Sequence, residues 1–401
     1  MEIISRTYYA SKLDSWIGKG NIIVLVGSRR TGKSYVLKDF IQRHKDEEDT
    51  NIIYIDKEKK DYKDIKTDAE LNEFIEARWE KGRHNYILID EVQDIERYEE
   101  SVCNWYTEEK TDIIISGSNS KMLSSELSTR LSGRYIEIRI HPLSYIEFLK
   151  FHSLENNDNS LMLYLTYGGL PGLRRIGLDN DEQVWEYLSS VFNTIMLKDI
   201  IERHSIRNVT FLNNLIEFYA DTTGKLTSAT NVSKYMKSQG ENISSNLVLT
   251  YREFYTEAFL MSAISRYDIH GKRIFESNEK LYWEDLGLRN LKAPGDMESY
   301  IEKLIENVIY KQLEYLGYEI YVGALMAGEV DFVCKKPGEK IYIQASYIIA
   351  DEDTYKREFG TLERINDNHP KYVISATPLL KKRDNNGIKH LSLREFLTNG
   401  L

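Results

Sequence analysis

Residues Gly27-Ser28-Arg29-Arg30-Thr31-Gly32-Lys33-Ser34 have the spacing G-x-x-x-x-G-K-[S/T], directly after the apolar run Ile22–Val26 and at the head of a helical stretch reaching Phe40. That context sets the chemistry. Glycines let the backbone curl until successive N–H groups face inward, and the positive end of the following helix adds to their pull on phosphate oxygens. Lys33 then reaches toward the β- and γ-phosphates of a nucleotide, and the Ser34 hydroxyl is placed for Mg2+. Further on, Tyr86-Ile87-Leu88-Ile89-Asp90-Glu91 is an apolar strand ending in two carboxylates. Burying such a pair is costly unless it faces a cation or a water-filled cleft. Asp90 fits an outer-sphere partner of Mg2+, and Glu91 fits a base that orients an attacking water.

Two weaker signals follow. Ile113-Ile114-Ile115-Ser116-Gly117-Ser118-Asn119 ends polar, so either Ser118 or Asn119 is placed to sense a γ-phosphate, and a plain turn would read the same way. Ser128-Thr129-Arg130-Leu131-Ser132-Gly133-Arg134 supplies two arginines. Arg130 or Arg134 could stabilise a transferring phosphoryl group, in its own site or a neighbouring subunit's, or simply be a surface arginine.

These motifs, in order, with Leu131-Ser132-Gly133-Arg134 and Pro142-Leu143-Ser144-Tyr145-Ile146-Glu147-Phe148 after them, resemble the bacterial and archaeal predicted ATPases of the AAA-type superfamily. The turn Gly168-Gly169-Leu170-Pro171 and Glu329-Val330-Asp331-Phe332 extend the resemblance over nearly the whole chain. The resemblance implies an α/β P-loop core with an additional strand, a helical lid, a winged helix and a C-terminal restriction-endonuclease-like α/β unit. It implies ATP and Mg2+ as ligands, Gly27 to Ser34 around the nucleotide, and Ser34 and Asp90 at the metal.

The elements that must hold these residues are legible as alternation. Up to about Lys150, the runs Ile22–Val26, Ile52–Ile55, Tyr86–Ile89, Ile113–Ser116 and Tyr135–Ile138 alternate with stretches of helical spacing, the pattern of βαβ units and a buried parallel sheet. The charged stretch from Lys57 to Lys66 reads as a solvated loop. Four parts are expected: an ATPase core over 1–150, a helical connector over 151–205, a winged-helix-like domain over 206–292, and an α/β domain over 293–401, entered through Lys292-Ala293-Pro294-Gly295-Asp296.

In the third part, a helix over Ile243–Met261 would be the recognition helix, and Lys234, Lys237, Lys272 and Arg273 could contact DNA phosphates. Basic and acidic residues balance there, so a protein-docking or lid role is the other reading. In the fourth part, Glu306 on a helix, with Glu329 and Asp331 on a strand, resembles the PD-(D/E)XK nuclease arrangement. That chemistry needs a second carboxylate and a lysine on the next strand. Those positions hold Gln344 and Ser346, a poor Mg2+ anchor and a neutral side chain, so an active nuclease is not expected.

Composition bounds the rest. The 401 residues carry 53 basic and 63 acidic side chains, a net charge of −10, which argues against general nucleic-acid coating. There is no apolar run long enough to span a membrane and no secretory pattern at Met1-Glu2-Ile3-Ile4. The two cysteines, Cys103 and Cys334, make neither a metal pattern nor a disulfide framework. A cytoplasmic chain is expected, with ATP and ADP as ligands, DNA or a protein as further partner, and homo-oligomers where an arginine acts between subunits.

Overall fold

The computed structural model describes residues 3–120, 133–293, 295, 298–326, 328–349, 352–377 and 384–401. They fall into two units. The first comprises residues up to His141 with Glu257–Phe259, and the second comprises Pro142–Thr256 and Leu260–Leu401.

In the first unit, Ile22–Val26 is buried along its whole length and forms the strand β1. With β2 (Thr50–Asp56), β3 (His84–Asp90), β4 (Thr111–Gly117) and β5 (Tyr135–Arg139) it makes a five-stranded sheet in the order β2-β3-β4-β1-β5. Every pairing is parallel. Strands buried on both faces read as unbroken apolar runs, which is why β1, β3 and β4 stand out in the sequence, while the edge strands β2 and β5 are only partly buried. Helices α1 (Thr7–Asp14), α2 (Lys33–His44), α3 (Asp68–Glu76) and α4 (Tyr98–Tyr106) cover the sheet. Leu71, Ile75, Tyr98 and Val102 of α3 and α4 pack on Val24, Ile55, Ile89 and Ile115. On α2, Val36, Leu37 and Phe40 are buried, and Phe40 meets Tyr86 of β3 edge-on at 5.2 Å.

β4 lies between β1 and β3. Its register sets Val26 beside Gly117 and Ile89 beside Ile115, while β2 sets Asp56 beside Asp90. The ends of β1, β3 and β4 therefore meet at one carboxyl edge, where ligands of open parallel sheets bind. The stretch from Lys57 to Lys66 is the solvated loop expected over most of its length, with seven of its ten residues exposed. It folds a short 3-10 turn at Lys60–Tyr62 around a buried ammonium: Lys57 Nζ donates to the carbonyl of Tyr62 at 2.6 Å and to that of Ile65.

The second unit opens with helices α5 (Tyr145–His152), α6 (Asp158–Tyr167), α7 (Leu173–Ile176) and α8 (Asp181–Thr194), the last running into a π-helical stretch, Ile195–Glu202. The Pro142–Phe148 motif is a helix start: Ser144 and Glu147 close a reciprocal capping box at the head of α5. Helices α9 (Val209–Asp221), α10 (Ala229–Ser238) and α11 (Ser245–Glu257) then precede the antiparallel strands β6 (Met261–Asp268) and β7 (Arg273–Trp283). α11 is shorter than the Ile243–Met261 helix expected, because Ser244 caps its first turn and Met261 already belongs to β6.

After α12 (Leu286–Asn290) come α13 (Ile301–Tyr315), β8 (Glu319–Leu325), β9 (Gly328–Lys336), β10 (Glu339–Ser346), α14 (Glu352–Glu363), β11 (Lys371–Ser375), β12 (Asp384–Asn385), β13 (Ile388–Ser392) and α15 (Leu393–Asn399). The strands form one eight-stranded mixed sheet, β12-β13-β11-β10-β9-β8-β6-β7. On one side, Leu304, Ile305, Val308 and Leu313 of α13 pack with Phe332, Ile341, Ile343 and Ile374. On the other, Phe359 and Leu362 of α14 pack with Val330, Val333, Tyr342 and Val373. The boundary expected at 292/293 falls inside this sheet. β6 pairs in parallel with β8, Arg266 opposite Val322, so the hairpin before the boundary and the strands after it share one set of hydrogen bonds.

The Gly168-Gly169-Leu170-Pro171 turn has a structural reason. Asp285 lies buried there and its carboxylate accepts the Gly169 N–H at 2.7 Å and the Leu288 N–H at 3.1 Å. Gly168 has φ +75°, and a Cβ on it would sit 2.3 Å from Asp285 Oδ1. Only glycine lets the turn approach that carboxylate.

Candidate functional site

Gly32 caps α2 in the left-handed region at φ 103°, and Arg30 also has positive φ, so the Gly27–Ser34 loop curls tightly between β1 and α2. Gly27 passes so close to β5 that a Cβ would lie 2.3 Å from the Ile140 carbonyl oxygen. Thr31 Oγ1 donates to the Ser28 carbonyl at 2.9 Å, holding the curl. From behind, buried Arg6 donates to the carbonyls of Thr31 at 3.1 Å and His141 at 2.8 Å. Lys33, 4% exposed, donates to the carbonyls of Gly27 and Ser28, each at 3.0 Å, and its Nζ stands 3.8 Å from Glu91 Oε1.

β3 delivers Asp90 and Glu91 to the same edge, and both are buried. Burial pushes the Asp90 carboxyl above its ordinary range despite hydrogen bonds from the hydroxyls of Ser116 and Ser34. Burial also pushes Glu91 up, but Lys33, Gln93, Arg29 and Ser118 together outweigh it, so its carboxyl lies below its usual value. Gln93 Nε2 donates to Glu91 Oε2 at 2.5 Å. The backbone at Glu91 is left-handed, φ 54°, which turns its side chain out of the strand direction toward the loop.

The expected residues Gly27, Ser28, Arg29, Arg30, Thr31, Gly32, Lys33, Ser34, Asp90 and Glu91 thus gather at one strand edge. Ser118 and Asn119 follow β4 at that edge, both buried, with Ser118 hydrogen-bonded to Glu91. Arg130 lies outside the described residues. Arg134 is elsewhere than expected for a finger in its own site. Its carbonyl accepts the Ile22 N–H at 2.9 Å, which places it at the start of β5, at the amino edge of the sheet. Four residues of β1 separate that edge from Val26 and the loop, about 13 Å.

Three side chains at the site were not legible as functional. Ser116 Oγ donates to Asp90 Oδ1 and accepts the Glu91 N–H at 3.2 Å, so one hydroxyl orients both acids. Gln93 and Arg6 are the others. The polar end of the β4 run was the available signal for Ser116; nothing in the spacing pointed to Arg6.

A nucleotide and Mg2+ fit this donor set. Ser28 Oγ is buried in the loop with no hydrogen-bond partner among the described residues, and the lysine rests on carbonyls it can release. The Ser34 hydroxyl and Asp90 would hold the ion.

In the second unit, Lys234 and Lys272 are exposed, but Arg273 stands 3.7 Å from Asp268 and Arg252 of α11 pairs with Glu279. Glu306, Glu329 and Asp331 come together, as expected from their order, but around a lysine that the sequence did not single out, Lys280 of β7.

The first unit has a P-loop site at the carboxyl edge of a parallel sheet, and residues 19–149 match the AAA domain family. Residues 158–298 match a domain of unknown function. An uncharacterized protein of Haemophilus influenzae is 33% identical over 383 residues, covering 93% of this chain and 94% of that protein, and the chain belongs to its family. An uncharacterized protein of Methanocaldococcus jannaschii is 28% identical over 361 residues, covering 86% and 78% of the two chains. Among solved structures, the Walker-type ATPase of Pyrococcus abyssi aligns with a TM-score of 0.49 at 14% identity, over 72% of this chain and 96% of that one. No helix among the described residues is long and apolar enough to cross a membrane.

Proposed function

We propose that the protein binds and hydrolyses ATP with Mg2+ and works as a nucleotide-gated switch. The observation that carries this reading is the meeting of Lys33, Ser34, Asp90 and Glu91 at one carboxyl edge, with the AAA domain match in support. Lys33 would exchange the Gly27 and Ser28 carbonyls for β- and γ-phosphate oxygens. That exchange removes its ammonium from Glu91 and leaves Gln93, Arg29 and Ser118 to hold the carboxylate in the charged form a base requires. Ser116 and Gln93 hold the two acids in place while Ser118 and Asn119 face the terminal phosphate. Mg2+, when bound, supplies charge stabilisation on the phosphate oxygens. Contacts to the γ-phosphate exist only before hydrolysis, so binding and turnover define two states of the loop.

Arg134, at the amino edge, would serve as a finger only toward a neighbouring copy's site, which makes a homo-oligomer part of the proposal. We also read α9, α10, α11 and the β6–β7 hairpin as winged-helix-like, a docking element for protein rather than DNA, since basic and acidic residues balance there and Arg252 of α11 pairs with Glu279. Phosphate release from Mg·ATP by the purified chain tests the reading: Lys33→Ala and Glu91→Gln should each abolish it, and turnover unchanged in both overturns it.

A further inference from the structure

Lys280 is a lysine on a strand whose neighbours Leu281, Tyr282 and Trp283 are core residues, and it is itself 3% exposed. An ammonium has three donors and, buried, needs three acceptors. It has them: Nζ lies 2.8 Å from Glu306 Oε1 on α13, 2.8 Å from Glu329 Oε1 and 3.2 Å from Asp331 Oδ1, both on β9. Two residues along β7, Tyr282 donates its hydroxyl to the same Glu306 oxygen at 2.5 Å. The next residue, Trp283, exchanges backbone hydrogen bonds with the Asn307 side chain, N–H to Oδ1 at 2.8 Å and Nδ2 to the carbonyl at 3.0 Å.

Around Asp331 the remaining positions are taken. Asp331 Oδ2 accepts the Ala345 N–H at 3.0 Å, and Gln344 Oε1 accepts the Asp331 N–H at 3.4 Å. Glu358 of α14, the other carboxylate near Asp331, is hydrogen-bonded by Gln344 and Arg357. A divalent ion would need oxygens drawn in to about 2.1–2.5 Å and roughly six of them. Here three oxygens stand at ammonium distance, and Asp331 Oδ2 and Gln344 Oε1 each accept a backbone N–H.

We infer that Glu306, Glu329 and Asp331 do not form a metal site but a lock closed by Lys280, whose ammonium takes the place of the cation and ties the β6–β7 hairpin to α13 and β9. The inference is independent of the nucleotide reading. Burial alone would lower the Lys280 ammonium, yet the three carboxylates raise it well above its ordinary value.

The test uses the full chain without nucleotide, with Mn2+ binding followed by electron paramagnetic resonance and unfolding by thermal melts. Wild type and Asp331→Asn should bind the same amount of Mn2+. Lys280→Met should lower the melting temperature by about 10 °C, because buried Asp331 and the partly buried Glu306 and Glu329 lose their counter-charge. Adding Glu329→Gln and Asp331→Asn to Lys280→Met should restore more than half of that loss. The inference is overturned if wild type binds Mn2+ that Asp331→Asn removes, or if Lys280→Met melts with wild type. Should Lys280→Met alone not fold, the triple variant, which leaves one unpaired carboxylate instead of three, decides: folding supports the lock, and failure to fold overturns it.

Discussion

Two buried lysines, one in each unit, illustrate how coordination decides what a charge can do. Lys33 commits its donors to two backbone carbonyls and has one carboxylate at 3.8 Å. Lys280 meets a carboxylate with each of its three donors, at 2.8 to 3.2 Å. Carbonyls are neutral, so a phosphate displaces them easily, and Lys33 is available to a ligand. No incoming anion displaces three carboxylates that are already there. The same residue type at the same depth is a ligand-binding group in one place and a structural counter-ion in the other.

The contrast breaks most visibly if the two lysines are removed in turn. Lys33→Ala should lower ATP turnover by roughly 100-fold or more with little change in melting temperature. Lys280→Met should do the reverse, leaving turnover intact at a temperature below its melt. Equal effects of both on turnover would erase the distinction.

A third buried charge sharpens it. Asp285 takes its hydrogen bonds from backbone N–H groups, and burial pushes its carboxyl up to about 6 from 3.8 despite them. The folded state therefore holds this proton more tightly than the unfolded chain. Its contribution to stability is complete below pH 3.8 and is lost as pH rises through about 6. Across that window wild type should lose about 3 kcal/mol relative to Asp285→Asn in paired unfolding curves. Parallel curves would show that the backbone donors fully compensate the burial. Gly168→Ala, which presses a methyl onto the same carboxylate from a left-handed backbone, should cost about 2 kcal/mol in a denaturant titration. A wild-type midpoint would mean that the turn yields.

The smallest effect is expected at Ser116. Ser116→Ala should reduce turnover about tenfold. The lost hydrogen bond favoured the charged form of Asp90, so its already raised pKa should rise further and the acid limb of the rate profile should move to higher pH. A rate loss without that movement would assign Ser116 to packing alone.

Much of the first unit was readable because a parallel sheet buried on both faces writes itself as apolar runs, and because Gly27 to Ser34 is a spacing that few other structures require. The paired acids were readable from the cost of burying them. Ser116 was not, since a hydroxyl at a strand end reads equally as turn or orienting group. For Arg134 the sequence reading left its own site or a neighbouring subunit's open, and chain order gives its place: a residue that immediately precedes a parallel strand sits at the amino edge, opposite the loops that follow the strands. Lys280 escaped because lysine is normally solvated, and its partners lie 26, 49 and 51 residues away across a boundary that the sheet does not respect.

That shared sheet limits how the chain can be cut. A fragment beginning at residue 293 would lose β6, baring the long side of β8 to any passing strand, and would keep Glu306, Glu329 and Asp331 with no cation to face. Anyone dissecting the protein for expression should place the scissors between His141 and Pro142, where the second unit begins, rather than after Lys292, or accept a product that self-associates through its raw edge.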